Sequence, residues 1–161
     1  MPNNDSDQAT SQSYHRILVA TGGAAHSQKA VERAIGLAQQ FGAVLDVVVV
    51  VPTQRGVMAS MAAGIPGSGE MEEQIAQSLH DVREAHLKAV VARAEQAGLT
   101  VHPHLRSAAR AADVILDMAA ETGADLIVLG RRHTTALSAN LAGSVGLSVS
   151  RAALVDVLIT H

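Results

Sequence analysis

The stretch AVLDVVVVV, Ala43 to Val51, is apolar on both of its faces, as only a strand covered by other elements on both sides needs to be. RILVAT, Arg16–Thr21, is a second β-branched run ahead of it. Between the two, Val31, Ala34, Ile35 and Ala38 recur at helical spacing, with Ser27 placed to cap the start and Gly42 just past the end. A second helix is predicted over Met71–Ala97, with Ile75, Leu79, Val82 and Ala89 along one face, Glu84 four residues before Lys88, and Gly98 as its stop. Then come a strand at Leu99–Leu105, a helix at Asp113–Thr122 closed by Gly123, and a strand at Asp125–Leu129. A helix at Ser144–Ala153 and a strand at Leu154–Thr160 finish the chain.

Strand and helix thus alternate four times before a closing strand. In one domain this predicts an α/β, Rossmann-like fold: an open five-stranded parallel sheet of order 3-2-1-4-5 with helices on both faces. Residues 1–13 are polar and read as a disordered tail without the apolar core of a signal peptide, leaving 14–161 as a single domain. The stretch Pro52–Gly69, rich in Gly, Ala, Met and Ser and without a period, reads as a long loop.

Composition narrows the function. The chain has 161 residues, 48% of them hydrophobic, enough for one sizeable core. Its 12 basic and 15 acidic residues are scattered, and one Tyr, one Phe and no Trp supply no stacking platform, so nucleic acid is an unpromising partner. Zero cysteines exclude thiol catalysis, disulfides and Cys-ligated zinc, and suit a cytoplasmic setting. No segment approaches the roughly 20 apolar residues of a membrane span.

Open parallel sheets take ligands beyond the carboxyl ends of their strands, where the strand order reverses. Two loops fit that place. TGGAAHS, Thr21–Ser27, carries adjacent glycines that let the backbone turn sharply and approach a ligand. In the loop after the fourth strand, Gly130 leaves the strand, Arg131 and Arg132 add charge, and Gly143-Ser144 stands where the last helix begins, its unpaired N–H groups suited to phosphate. On chemistry alone these glycines equally suit tight turns, with Ser144 as a plain helix cap. Neither GxxxxGK[ST] nor GxGxxG occurs.

The run ILVAT-GG, the element GADLIVLGRR at Gly123–Arg132, and a nine-residue spacer between His133 and GSV at Gly143–Val145 together resemble the universal stress protein family, over nearly all of Arg16–Thr160. The resemblance implies a small cytoplasmic protein that binds ATP or a related adenine nucleotide, with Mg as a candidate companion, in a stress-response signalling or regulatory role. Turnover is not expected beyond slow ATP hydrolysis. It implies a nucleotide site at Thr21, Gly22, Val50, Gly130, Arg131, His133, Gly143, Ser144 and Val145, adenine lying near the backbone of Val50, and a homodimer through Leu154–Thr160. An apolar edge strand gives that pairing a physical reason.

Three departures bear on the ligand. His133 stands where the family's G-x-x-G loop has its second glycine, Gly22-Gly23-Ala24 stands where the family has D-G-S, and Ala109-Arg110-Ala111 replaces G-x-P. These favour an alternative: the same dimeric fold without ATP, as an interaction module or a sensor of another small ligand. A third reading, the ATP pyrophosphatases with their S-G-G-x-D-S loop, has only Thr21-Gly22-Gly23 as an echo.

The remaining polar candidates have plain readings. His102 and His104, two apart on a strand, share one face, where solvent exposure is the expectation and metal pairing the alternative. His80 and His86 read as surface or stripe-edge residues, and Met58, Met61 and Met71 as parts of a flexible segment.

Overall fold

The computed structural model describes residues 13–53, 69–131 and 145–161. The polar tail to residue 12, most of the expected Pro52–Gly69 loop with Met58 and Met61, and the segment carrying Arg132, His133, Gly143 and Ser144 lie outside the described residues. The elements run β1 (Arg16–Ala20), α1 (Ala25–Phe41), β2 (Val44–Pro52), α2 (Gly69–Gln96), β3 (Val101–Ala108), α3 (Ala111–Thr122), β4 (Leu126–Gly130), α4 (Val145–Ala152) and β5 (Asp156–Thr160). All four strand pairings are parallel, and the sheet order is β3-β2-β1-β4-β5, as the alternation of periods predicts.

Successive side chains point to opposite faces of a strand, so each β-branched run feeds two cores. Ile17, Val19, Leu45, Val47, Val49, Leu126 and Val128 pack under α1 and α2, against Val31, Ala34, Leu87 and Val90. Leu18, Val48, Ile127 and Leu129 pack on the other face against Ile115 and Met118 of α3 and Val149 of α4. Each such Val, Leu or Ile buried from water stabilises the fold by about 1.5–3 kcal/mol. Helices α1 and α3 stop at Gly42 and Gly123, which adopt the left-handed conformation at φ 65° and 70° that side chains disfavour.

Local details differ from the sequence reading. Helix α1 begins at Ala25 with Ala24 as its N-cap, and no side chain caps it. Ser27 is buried inside the first turn, its hydroxyl donating to the Ala24 carbonyl at 2.7 Å. In α2 the residues that reach the sheet are Leu87, Val90 and Ala94, in its second half. Met71, Ile75 and Val82 are exposed on its first half, so the expected stripe does not enter the core. The expected Glu84–Lys88 pair does form, at 2.8 Å. Strand β5 starts at Asp156, leaving Leu154 fully exposed ahead of it.

The most informative difference lies in β2. Asp46, in the middle of the apolar run, is fully buried. Arg16 Nε donates to its Oδ2 at 2.6 Å, and Arg16 Nη2 and His104 Nε2 approach Oδ1 at 3.2 and 2.7 Å. Burial pushes the Asp46 carboxyl up, but the hydrogen bonds from Arg16 and His104 and their charges outweigh it, and the group titrates below the usual aspartate range. His102 joins from its Nδ1, which accepts from Arg16 Nη2 at 2.8 Å because a guanidinium has donors only. The two histidines do share a face, yet His104 is largely buried and neither is a bare solvent-facing residue. They belong to a charge-matched cluster at the amino-terminal end of the sheet.

Candidate functional site

The carboxyl ends of β2, β1 and β4 lie side by side. After β1 the chain turns to α1 on one face, whereas α4, which follows β4, packs on the other. The β1–β4 boundary is therefore the switch point at which a parallel sheet opens a crevice. Thr21, Gly22, Val50, Gly130 and Arg131 all stand at these strand ends. Thr21 is buried, its N–H donating to the Val48 carbonyl at 3.0 Å and tying the first loop to β2. Val50 is half-buried, near the end of β2. Val145 is the first residue of α4 and partly exposed.

Gly130 has a packing reason to be glycine. A Cβ there would stand 2.7 Å from the carbonyl carbon of His26 and 3.0 Å from Cα of Ser27, so the first turn of α1 lies directly on the end of β4. The glycine lets two backbones meet beneath the crevice. Arg131 continues the ladder, its N–H donating to the Thr160 carbonyl at 2.8 Å, and its guanidinium approaches His161 Nδ1 at 3.3 Å. That side chain runs toward β5, away from the first loop.

Two residues that the sequence reading left aside reach this end of the sheet from α2. Arg83 Nη1 donates to the Gly22 carbonyl at 2.6 Å, and His86 Nε2 lies 2.9 Å from the Thr21 hydroxyl. A Cβ on Gly22 would run into Arg83 Nη1, and one on Gly23 would rest 3.5 Å from the His86 ring. Burial, then the nearby charge of Arg83, lowers the His86 pKa, so its imidazole is neutral at pH 7 and the cation of the pair is Arg83. Spaced three apart, the two side chains share one helix face. His86 is thus a part of the strand-end cluster, not a plain surface residue. Among the described residues, no group of three or more His, Asp or Glu is placed to hold a metal ion, and no helix is long and apolar enough to cross a membrane.

Comparison with known proteins adds an independent finding. The model of the universal stress protein family matches residues 13–161. The chain belongs to the universal stress protein family. A universal stress protein of Methanocaldococcus jannaschii is 31% identical over 146 residues, 91% of this chain and 81% of that one. A crystal structure of a universal stress protein from Burkholderia pseudomallei superposes with a TM-score of 0.71 at 26% identity, covering 91% of this chain and 96% of the other. A universal stress protein crystallised in complex with cAMP superposes with a TM-score of 0.69 at 25% identity, covering 92% and 98%.

Proposed function

We propose that this universal stress protein binds an adenine nucleotide across the carboxyl ends of β2, β1 and β4 and acts through that occupancy as a stress-response signalling or regulatory module. The observation that carries the reading is the switch point itself, where Thr21, Gly22 and Gly130 leave adjacent strands toward opposite faces of the sheet. The cAMP complex of a relative that aligns with 92% of this chain supports the ligand class. In this reading adenine lies by the backbone near Val50 and the sugar over Gly22. The phosphates point to Gly130, Arg131, His133, Gly143, Ser144 and Val145, the last of which opens α4. Binding without turnover is the expected role, since Gly22 supplies no carboxylate to act as a base. The same reading takes 14–161 as one cytoplasmic domain and ATP as the first ligand to try, with or without Mg.

Isothermal titration with ATP and with 5′-AMP tests it. One site per chain, lost in Gly143→Val, is the expected result; no binding of either, nor of cAMP, would end the reading. The second reading, an interaction module without a nucleotide, has its own support in the Arg83–Gly22 bond, which draws α2 over the first loop. It predicts silence in all these titrations.

A homodimer through Leu154–Thr160 completes the proposal. Strand β5 is the outer strand next to β4, with Val157, Leu158 and Ile159 only half-buried. Such an edge is ready to pair with a copy of itself. Light scattering is expected to give twice the chain mass for the wild type and a monomer for Val157→Pro, which removes a backbone donor from that strand.

A further inference from the structure

The side of α2 turned away from the sheet carries an apolar series of its own. Met71, Ile75 and Val82 are exposed on it, and further along Ala85, Ala89 and Ala92 are exposed as well, whereas Leu87, Val90 and Ala94 are buried on the sheet side. With Ser78, the exposed positions follow one another at alternating intervals of four and three residues. That is the spacing at which one helix lays a continuous seam along another. The seam is bulky in the overhanging half of α2 and small in the half packed on the sheet. It therefore fits a reversed copy of itself: Ile75 and Val82 of one chain come opposite Ala92 and Ala85 of the other, Ser78 opposite Ala89, and Met71 opposite Gln96. Bulky residues facing small ones let two helices interdigitate.

The charges beside the seam select the direction. In the reversed register Asp81 stands beside Lys88 of the second copy and Glu72 beside Arg93 of the second copy, each pair occurring twice by symmetry. Side-by-side pairing in the same direction would instead set Lys88 next to Arg93, two like charges. Within the chain Lys88 pairs with Glu84 at 2.8 Å, Arg93 with Glu32 at 3.6 Å, and Asp81 accepts from Gln77 at 2.8 Å. An ammonium has three donors, a guanidinium five and a carboxylate two acceptor oxygens, so each can take a further partner. We infer that the outer face of α2 is a self-association surface on which a second copy of this chain docks antiparallel, the overhanging half of each helix lying on the packed half of the other. Helix α2 covers β2 and β3, at the far side of the sheet from β5, so this surface is separate from the edge-strand pairing and from the strand-end crevice. One helix face is smaller than the roughly 800 Å² per partner of a standard interface, and a Kd on the order of 0.1 mM is expected. At micromolar concentration the chain mass then reports β5 alone.

The chain has no cysteine, so a thiol cross-linker reads only the thiols put into it. Full-length Met71→Cys and Gln96→Cys chains, mixed at about 0.1 mM and treated with a short bismaleimide, are expected to join to each other, and Met71→Cys chains by themselves are not. Residues 71 and 96 stand about 38 Å apart along one helix, so pairing in the same direction would instead join Met71→Cys to itself. Adding Val82→Asp to both chains is expected to abolish joining without altering thermal unfolding, because Val82 is exposed. Adding Lys88→Asp is expected to raise the concentration for half-maximal joining about three- to tenfold, and adding Asp81→Lys to that variant is expected to restore it. Joining of Met71→Cys to itself, or a charge exchange that restores nothing, overturns the inference. Absence of joining in the mixture overturns it too and leaves the face to a different occupant.

Discussion

At the amino-terminal end of the sheet, Arg16 and two histidines surround the buried carboxylate of Asp46. At the carboxyl end, Arg83 and His86 lean over a glycine loop, and Arg83 holds a neutral backbone carbonyl. The residue types are nearly the same, but the first cluster is centred on a fully buried aspartate. A cation matched to a buried carboxylate is committed to the fold, because separating the two leaves a charge without its partner in a dry place. At the carboxyl end the Arg83 guanidinium instead ties α2 to the first loop through the Gly22 carbonyl. The first end is closed around a buried charge, and the second fastens one helix to one loop.

Removing the carboxylate breaks the closed end most directly. Asp46→Ala is expected to cost about 3 kcal/mol in urea unfolding, the lower part of the range for breaking a buried pair, because Arg16 retains 32% of its side-chain exposure. A loss below 1 kcal/mol would mean that the cluster is a surface pair in energetic terms. At the other end the main constraint is steric. Gly130→Ala drives a methyl group into the His26 carbonyl, and about 2 kcal/mol is expected, with α1 displaced from β4. Unchanged stability there would show that α1 yields easily, and the crevice floor would then be softer than the packing implies.

A smaller effect separates the bracing role of His86 from mere proximity. Thr21→Val keeps the shape and removes the hydroxyl, and about 1 kcal/mol is expected from the lost bond to His86. The comparison also predicts a pH signature at one end only. The Asp46 pKa is lowered on folding, so its contribution to stability is full above the ordinary aspartate value near about 3.9 and is lost as pH falls through the lower folded value. Urea midpoints measured from pH 5 down to pH 2 are expected to fall more steeply for the wild type than for Asp46→Asn. Parallel slopes would remove Asp46 from the acid transition.

The sheet order was legible because it rests on local signals: β-branched runs, apolar residues at helical spacing, and glycines such as Gly42 and Gly123 where a left-handed residue ends a helix. The polar clusters were not, because their members meet only after folding. Asp46 lies 30 residues from Arg16 and 58 from His104, and Arg83 lies 61 from Gly22. Inside VLDVVVVV a single aspartate does not disturb a strand pattern, and nothing near it in sequence shows that an arginine one strand earlier will cover it. The same holds for α2, whose two halves both carry apolar residues at helical spacing. Which half meets the sheet depends on length. A helix of 28 residues extends about 42 Å, and the longest strand, of nine residues, about 30 Å, so one half must overhang.

That overhang gives α2 two rates of opening. Amides beyond Leu87, in the half packed on the sheet, are placed to exchange with deuterium only when the whole core comes apart, whereas those before Arg83 have few buried contacts and can fray from the Gly69 end. The junction of the fast and slow halves falls at Arg83 and His86, where the helix is fastened to the first loop. A ligand that steadied the first loop would, through that fastening, extend slow exchange toward Gly69, turning occupancy of the crevice into a measurable stiffening of a helix arm well away from it.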